Sequence, residues 1–331
     1  MGGTKMSEWK RVKLGELYEV HNGLSKGRQF FGSGYPFLSF STVFNNWFLP
    51  KNLDSLVQST EKERESCSIK KGDVFITRTS ETMDELGMSS VALKDYPNAT
   101  YNGFTKRLRP ITDKVLPEYI GYYLRSTKFR NKFMAFSSMT TRASLANDDL
   151  LSMEVEVPDI NIQHRIAEIL SRYDSLIENY QRQIKLLEEA AQRLYKEWFV
   201  DFHFPGHENT KIIDGVPEGW EKKPVMEVFD FKYGKILPTK DFVKDGLIPV
   251  YGASKQIGRY TKANCFEPKV LIGSRGNAGF VHRTIEDESY VTNNSFIVEP
   301  CANYGYIELP FIFESFKVLD FVAICTGAAQ P

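Results

Sequence analysis

Residues 161–200 read NIQHRIAEILSRYDSLIENYQRQIKLLEEAAQRLYKEWFV. Apolar side chains recur at Ile162, Ile166, Ile169, Tyr173, Leu176, Tyr180, Ile184, Leu187, Ala191, Leu194 and Trp198, in steps of three and four with two successive fours at Leu176, Tyr180 and Ile184. That spacing predicts a coiled-coil seam carrying one stutter. Neither Gly nor Pro interrupts it, Pro158 stands just ahead, and Glu, Arg, Lys and Gln fill the other faces, as a long exposed helix requires. At 1.5 Å per residue such a helix is a rod of roughly 60 Å. One apolar seam on a rod that long needs a second helix lying along it to leave water. The plainer alternative is a core helix of one globular domain, but 40 residues far exceed ordinary helix length. The stretch therefore reads as a spacer.

A chain of 331 residues is long for one core and suits two domains. With 42% apolar and 25% charged residues it has the composition of an ordinary soluble protein. The formal net charge of zero argues against a polyanion binder charged over its whole surface, but permits a local basic face. Such a face is encoded between Asn102 and Arg142, where Lys106, Arg107, Arg109, Lys114, Arg125, Lys128, Arg130, Lys132 and Arg142 stand against only Asp113 and Glu118. Taken alone, a charge run of this kind is equally a solvated surface. The four cysteines, Cys67, Cys265, Cys301 and Cys325, form no C-x-x-C pair, so neither a zinc ribbon nor a redox motif is indicated. No charged and apolar leader and no run of 18 apolar residues occurs, and a cytoplasmic protein with reduced thiols is expected. Met1 to Lys5 reads as a short arm outside the fold.

Flanking the rod is a repeat. Trp9-Lys-Arg-Val-Lys-Leu-Gly-Glu-Leu-Tyr-Glu-Val-His-Asn-Gly23 matches Trp220-Glu-Lys-Lys-Pro-Val-Met-Glu-Val-Phe-Asp-Phe-Lys-Tyr-Gly234 at an offset of 211. Val74 to Thr77 matches Val270 to Gly273 at 196, Leu116-Pro117 matches Leu309-Pro310 at 193, and Thr141 matches Thr326 at 185. The marks keep their order while the offset shrinks, which is the pattern of a duplicated domain whose second copy has shorter loops. Within each copy short β-branched and aromatic runs are bounded by Gly, Asn, Asp and Pro: Pro36 to Phe40, Val74 to Thr77, Val91 to Leu93 and Thr105 to Leu108, then Ile248 to Tyr251, Val270 to Gly273 and Ser295 to Val298. Each copy adds one helix opened by proline, Pro117 to about Phe136 and Pro310 to about Ala323. The expected class is α+β, with a first domain at 1–158, the spacer helix at 159–200, a linker at 201–219 and a second domain at 220–331. In the linker, His203 and His207 stand four apart, but Pro205 and Gly206 between them break any helical face, so no metal site is expected.

The rod entry Pro158-Asp-Ile-Asn-Ile-Gln-His-Arg-Ile-Ala-Glu-Ile-Leu170, its exit Trp198-Phe-Val-Asp-Phe-His-Phe-Pro-Gly-His-Glu208, the linker Val216-Pro-Glu-Gly-Trp220 and the loop Thr326-Gly-Ala-Ala-Gln330 together resemble the DNA specificity subunit of type I restriction-modification systems. Each motif is weak alone and specific in combination, and the resemblance covers nearly the whole chain. It implies two target-recognition domains at opposite ends of two antiparallel helices, each domain reading half of a split DNA site. It also implies docking of methyltransferase subunits, which use S-adenosylmethionine, and of an ATP-dependent restriction subunit, so that S-adenosylmethionine, ATP and Mg belong to partners and this chain carries no cofactor of its own. One departure follows from the repeat: the second copy stops five residues after Thr326, without the second long helix. Either the chain is truncated, or its rod pairs with a helix of another molecule and the protein self-associates through the seam.

No G-x-x-x-x-G-K-[ST] phosphate loop, no Asn-Pro-Pro-aromatic motif, no G-x-G-x-x-G at a strand-to-helix turn and no nuclease-type carboxylate and lysine cluster is present. A catalytic role is therefore not expected. DNA reading needs Arg or Lys for phosphates and guanine, Asn or Gln for adenine, and Ser or Thr as adaptable donors, displayed on loops. The first copy offers Lys26, Arg28, Arg78, Thr79, Ser80, Lys106, Arg107 and Arg142, and the second Lys235, Ser274, Arg275, Asn277, Thr326 and Gln330. A coiled-coil adaptor without a DNA role is the competing class, and the neutral charge suits it.

Overall fold

The computed structural model describes residues 9–78, 86–137 and 146–324. The chain divides into two compact units, 1–179 and 180–331, so the division falls inside the long helix rather than at its ends.

The first unit is built on a four-stranded antiparallel sheet. Its strands lie in the order Tyr18–Asn22, Thr105–Pro110, Val74–Thr77 and Ser89–Val91. A second sheet orders Ser55–Val57, Phe31–Leu38 and Thr100–Tyr101, the last two running parallel with Phe37 opposite Thr100. A short ribbon pairs Lys10–Lys13 with Glu154–Val157 and closes the unit's two ends on each other. Val74 to Ile76 alternate between two cores, as side chains on a strand must. Val74 and Ile76 pack with Leu14, Leu108, Tyr119, Ile120, Phe129 and Phe133, while Phe75 faces Leu38, Val43, Ala92 and Tyr101.

Where one helix was expected after Pro117, two form, Pro117–Arg125 and Thr127–Ser137. Ser126 divides them: its hydroxyl donates to Tyr123 O at 2.6 Å and accepts from Phe129 N at 3.3 Å, ending one helix and capping the next. Arg125, at the end of the first of these helices, donates to Ser89 O, Val43 O, Phe44 O and Asn46 O. Burial pushes its guanidinium down to about 10.

The second unit repeats this plan. Its four-stranded sheet runs Phe229–Tyr233, Ser295–Pro300, Val270–Gly273 and Val281–Arg283, and its three-stranded sheet runs Gln256–Tyr260, Ile248–Tyr251 and Tyr290–Val291, again with one parallel pair. The strand order, the hand of each pair and the isolated bridges (Leu24 to Asn102 against Lys235 to Thr292, Ile69 to Tyr96 against Cys265 to Ser289) coincide. The shrinking offset has a local cause. In the first unit the helices Phe40–Asn45 and Glu61–Ser66 fill the connections around Ser55–Val57. In the second, Tyr251 turns directly into Gln256 through a Gly252 N to Lys255 O bond of 2.9 Å. The helix after Pro310 likewise ends early, at Val318, before a short turn at Phe321–Ile324 whose Ala323 N donates to the Asp320 carboxylate.

The spacer stretch forms one α-helix, Ile160–Tyr195, continued by a π turn over Lys196–Val200. Its 36 α-helical residues span about 54 Å. Within the first unit the buried Gln163 accepts from Leu116 N at 2.9 Å and donates to Lys114 O and Pro158 O, and Tyr122 donates to Asp174 at 2.6 Å. Within the second unit Tyr195 and Phe199 pack against Phe311, ring centroids 5.6 and 5.0 Å apart, and Phe199 against Trp220. Between these ends the seam residues Ile169, Tyr173, Leu176, Tyr180, Ile184, Leu187 and Leu194 stay exposed, Leu187 by 70%. No helix among the described residues is long and apolar enough to cross a membrane.

Candidate nucleic-acid interface

The register of the four-stranded sheet gathers three chain segments at one end of each unit. In the first, Asn22 lies opposite Lys106 and Thr77 opposite Thr105. Thus Gly23 to Arg28, Arg78 and the turn Asn102 to Phe104 emerge together. In the second, Tyr233 lies opposite Phe296 and Gly273 opposite Ser295, so Gly234 and Lys235, the turn from Ser274 and the turn Thr292 to Asn294 occupy the same place.

Main-chain bonds fix these segments alike in both copies. Leu24 N donates to Tyr101 O and Gly103 N to Leu24 O, both at 2.8 Å, as Lys235 N does to Val291 O and Asn293 N to Lys235 O. Arg78 N donates to Phe104 O at 3.0 Å, and Ser274 N to Asn294 O at 2.8 Å. Glycine is required where the segments cross: a Cβ on Gly23 would stand 2.1 Å from Asn102 O, and one on Gly234 would stand 2.3 Å from Thr292 O.

The expected contact residues divide sharply. Arg28 is exposed on a turn over Arg28–Phe30. Arg275 is exposed at the tip of the hairpin joining Val270–Gly273 to Val281–Arg283, beside Gly276 at φ +77°. Asn277 there donates to Ser254 Oγ at 2.8 Å, drawing in the turn after Tyr251. Lys235 is exposed, and Ser274 is half-buried with its hydroxyl on Asn293 O. Lys26 is already engaged, with its ammonium 2.8 Å from both Gln58 O and Glu63. Arg78 is half-buried, reaching Asn22 Oδ1 at 3.5 Å, with its Nε unpartnered among the described residues.

Lys106 and Arg107 prove to be interior residues, 3% and 4% exposed. The Lys106 ammonium donates to Asn147 Oδ1, and burial, then the neighbouring Arg78, push it below the usual lysine range against the pull of Asp149 and Asp148. Arg107 donates to Ser66 O and Ser68 O and sits over the Tyr101 ring. Arg109 pairs with the buried Asp73 at 2.7 Å. Much of the basic run thus holds the first unit together, because what covers the faces of strand Thr105–Pro110 supplies acceptors for its cations: Asn147 for Lys106, the Ser66 and Ser68 carbonyls for Arg107 and Asp73 for Arg109. Thr79, Ser80, Arg142, Thr326 and Gln330 lie outside the described residues.

Three groups join the cluster that were not anticipated: Asn22, the turn Asn102 to Phe104, and its counterpart Thr292 to Asn294. The signal was available, since the strands Thr105–Pro110 and Ser295–Pro300 align at an offset of 190 and carry the turns with them. Among the described residues, no three His, Cys, Asp or Glu side chains converge as a metal site would need. The loops instead offer guanidinium, amide, hydroxyl and main-chain groups, the chemistry that reads phosphates and base edges.

Two copies of one α+β unit, each presenting a polar loop cluster at the same sheet end and both built onto one long helix, define a duplicated recognition protein. The chain belongs to the family described as type I restriction modification DNA specificity domain, whose model matches residues 6–189 and 217–308. It is 26% identical over 310 residues to the type I restriction enzyme MjaIX specificity subunit of Methanocaldococcus jannaschii, covering 88% of this chain and 67% of that protein. It is 29% identical over 216 residues to the HindI specificity subunit of Haemophilus influenzae, covering 64% of this chain and 45% of that one. The matches thus span from under half to two thirds of the length of these relatives. The crystal structure of a type I restriction-modification S subunit from M. genitalium shares the fold, with a TM-score of 0.54 and 18% identity over 97% of this chain and 79% of that one.

Proposed function

We propose that this protein is the DNA-reading, non-catalytic subunit of a type I restriction-modification complex in the cytoplasm, each unit contacting one half of a bipartite site through its sheet-end loops. The duplication carries this reading: two units with the same strand order offer the same loops at the same sheet end but with different side chains, as two different half-sites would require. Basic residues such as Arg28 and Arg275 neutralise phosphates or reach guanine, while amides and hydroxyls address base edges. Joining the units makes the second contact effectively intramolecular, so two weak readings act as one tight one. The helix serves as the spacer, and its exposed seam takes a second helix, from a continuation of this chain or from another copy. Methyltransferase subunits dock on the helix and unit flanks and a restriction subunit joins them, bringing S-adenosylmethionine, ATP and Mg.

The test is selection from a randomised duplex library by this chain reconstituted with its methyltransferase subunits. Two short specified blocks separated by an unspecified gap are expected. An assembled complex that enriches no sequence would reduce the chain to an oligomerisation device.

A further inference from the structure

The turn before strand Thr105–Pro110 and the turn before Ser295–Pro300 share a frame and differ at its tip. In the first unit Phe104 occupies the tip and is 59% exposed. The frame beneath it is rigid: Phe104 N donates to Asn102 Oδ1 at 2.6 Å, Thr105 Oγ1 to Asn102 O at 2.7 Å, Gly103 N to Leu24 O and Arg78 N to Phe104 O. A Cβ on Gly103 would stand 2.3 Å from Ser25 Oγ and 3.1 Å from Leu24 O, so the exposed Ser25 hydroxyl would have to turn aside to admit one. In the second unit the position taken by Phe104 is held by Asn294, half-exposed, with its carbonyl accepting from Ser274 N as Phe104 O accepts from Arg78 N.

A large apolar side chain held in water on a fixed turn beside Arg78 and Asn22 contributes nothing to the core clusters of its unit. We infer that positions 104 and 294 are equivalent base-reading positions of the two units, Phe104 making apolar contact with a thymine methyl group and Asn294 bonding an adenine edge. The chemistry of each residue dictates its base. Phenylalanine has no donor or acceptor and selects for a methyl group in the major groove, whereas an asparagine amide pairs with adenine N6 and N7 together. This rests on the DNA-reading function proposed above.

The reconstituted complex would be tested by library selection with Phe104→Ala, Phe104→Asn and Asn294→Ala, each first checked for an unchanged melting temperature. Phe104→Ala is expected to lose one thymine preference, about tenfold, in one half-site only, and uracil at that position should weaken wild-type binding equally. Asn294→Ala should lose one adenine in the other half-site. Phe104→Asn should install an adenine preference where thymine stood. A wild-type consensus that all three variants reproduce, or a uniform loss of affinity with the consensus unchanged, overturns the inference and leaves the DNA-reading function standing. A wild-type complex that enriches no sequence overturns both.

Discussion

Gly23 and Gly234 show how little freedom the loop cluster has. Each sits where one chain segment crosses another at a distance no Cβ tolerates, against main-chain oxygen that cannot step aside. Gly23→Ala should therefore cost about 1–3 kcal/mol in urea unfolding and loosen the first unit's loops before its sheet. A titrating residue gives the second unit a pH signature. His282 is buried between Phe280 and Tyr251, and among the described residues neither ring nitrogen makes a hydrogen bond of good geometry. Burial lowers its pKa to about 4, against a smaller opposing contribution from the Gly252 backbone. The unfolded chain takes up this proton from about pH 6.5 downward and the folded chain does not, so stability falls as pH drops from about 6.5 to about 4, by at most about 3 kcal/mol. Comparing His282→Phe with wild type across that range should flatten the slope, and an unchanged slope would remove His282 as its source.

Among the elements, the start of the long helix is tied into the first unit through a buried amide. Gln163 is fully buried and satisfies Leu116 N, Lys114 O and Pro158 O. Gln163→Leu orphans all three, at about 1–3 kcal/mol for each group left without a partner, and should show as hydrogen exchange at Leu116 with little change in the second unit. The helix itself was legible from the spacing of Ile162 through Trp198, because a period of three and four over 40 residues has no other stable outcome. The duplication was legible for the same reason of length. The short helices Phe40–Asn45 and Glu61–Ser66 were not foreseen, although Thr60 and Glu63 form a reciprocal cap. Six residues are too few to show a period. The basic run could not be resolved from the sequence because charge counts carry no depth: Lys106 is covered by Asn147 and Arg107 by Ser68 and the Tyr101 ring, residues far from them in the chain that only the packing brings near. Arg28 and Arg275, each beside a glycine in a turn, were legible as displayed residues because turns lie at the surface.

For the whole molecule, the proposed spacer role makes a metric prediction. Inserting seven residues after Leu176 adds two turns, keeps the seam in register and lengthens the helix by about 10 Å, about three base pairs of duplex. Library selection should then return the same two half-sites with a gap wider by two or three base pairs, and an unaltered gap would remove the helix as the ruler. The locked turns have a further consequence, for how such a protein changes over generations. Asn102, Leu24 and Arg78 hold the first turn largely through main-chain groups, and Lys235 and Ser274 do the same in the second, so the frame of each turn does not depend on which side chain stands at its tip. On the inference that positions 104 and 294 read bases, a lineage that traded Phe104 or Asn294 for another residue would acquire a new target while keeping the frame that presents it.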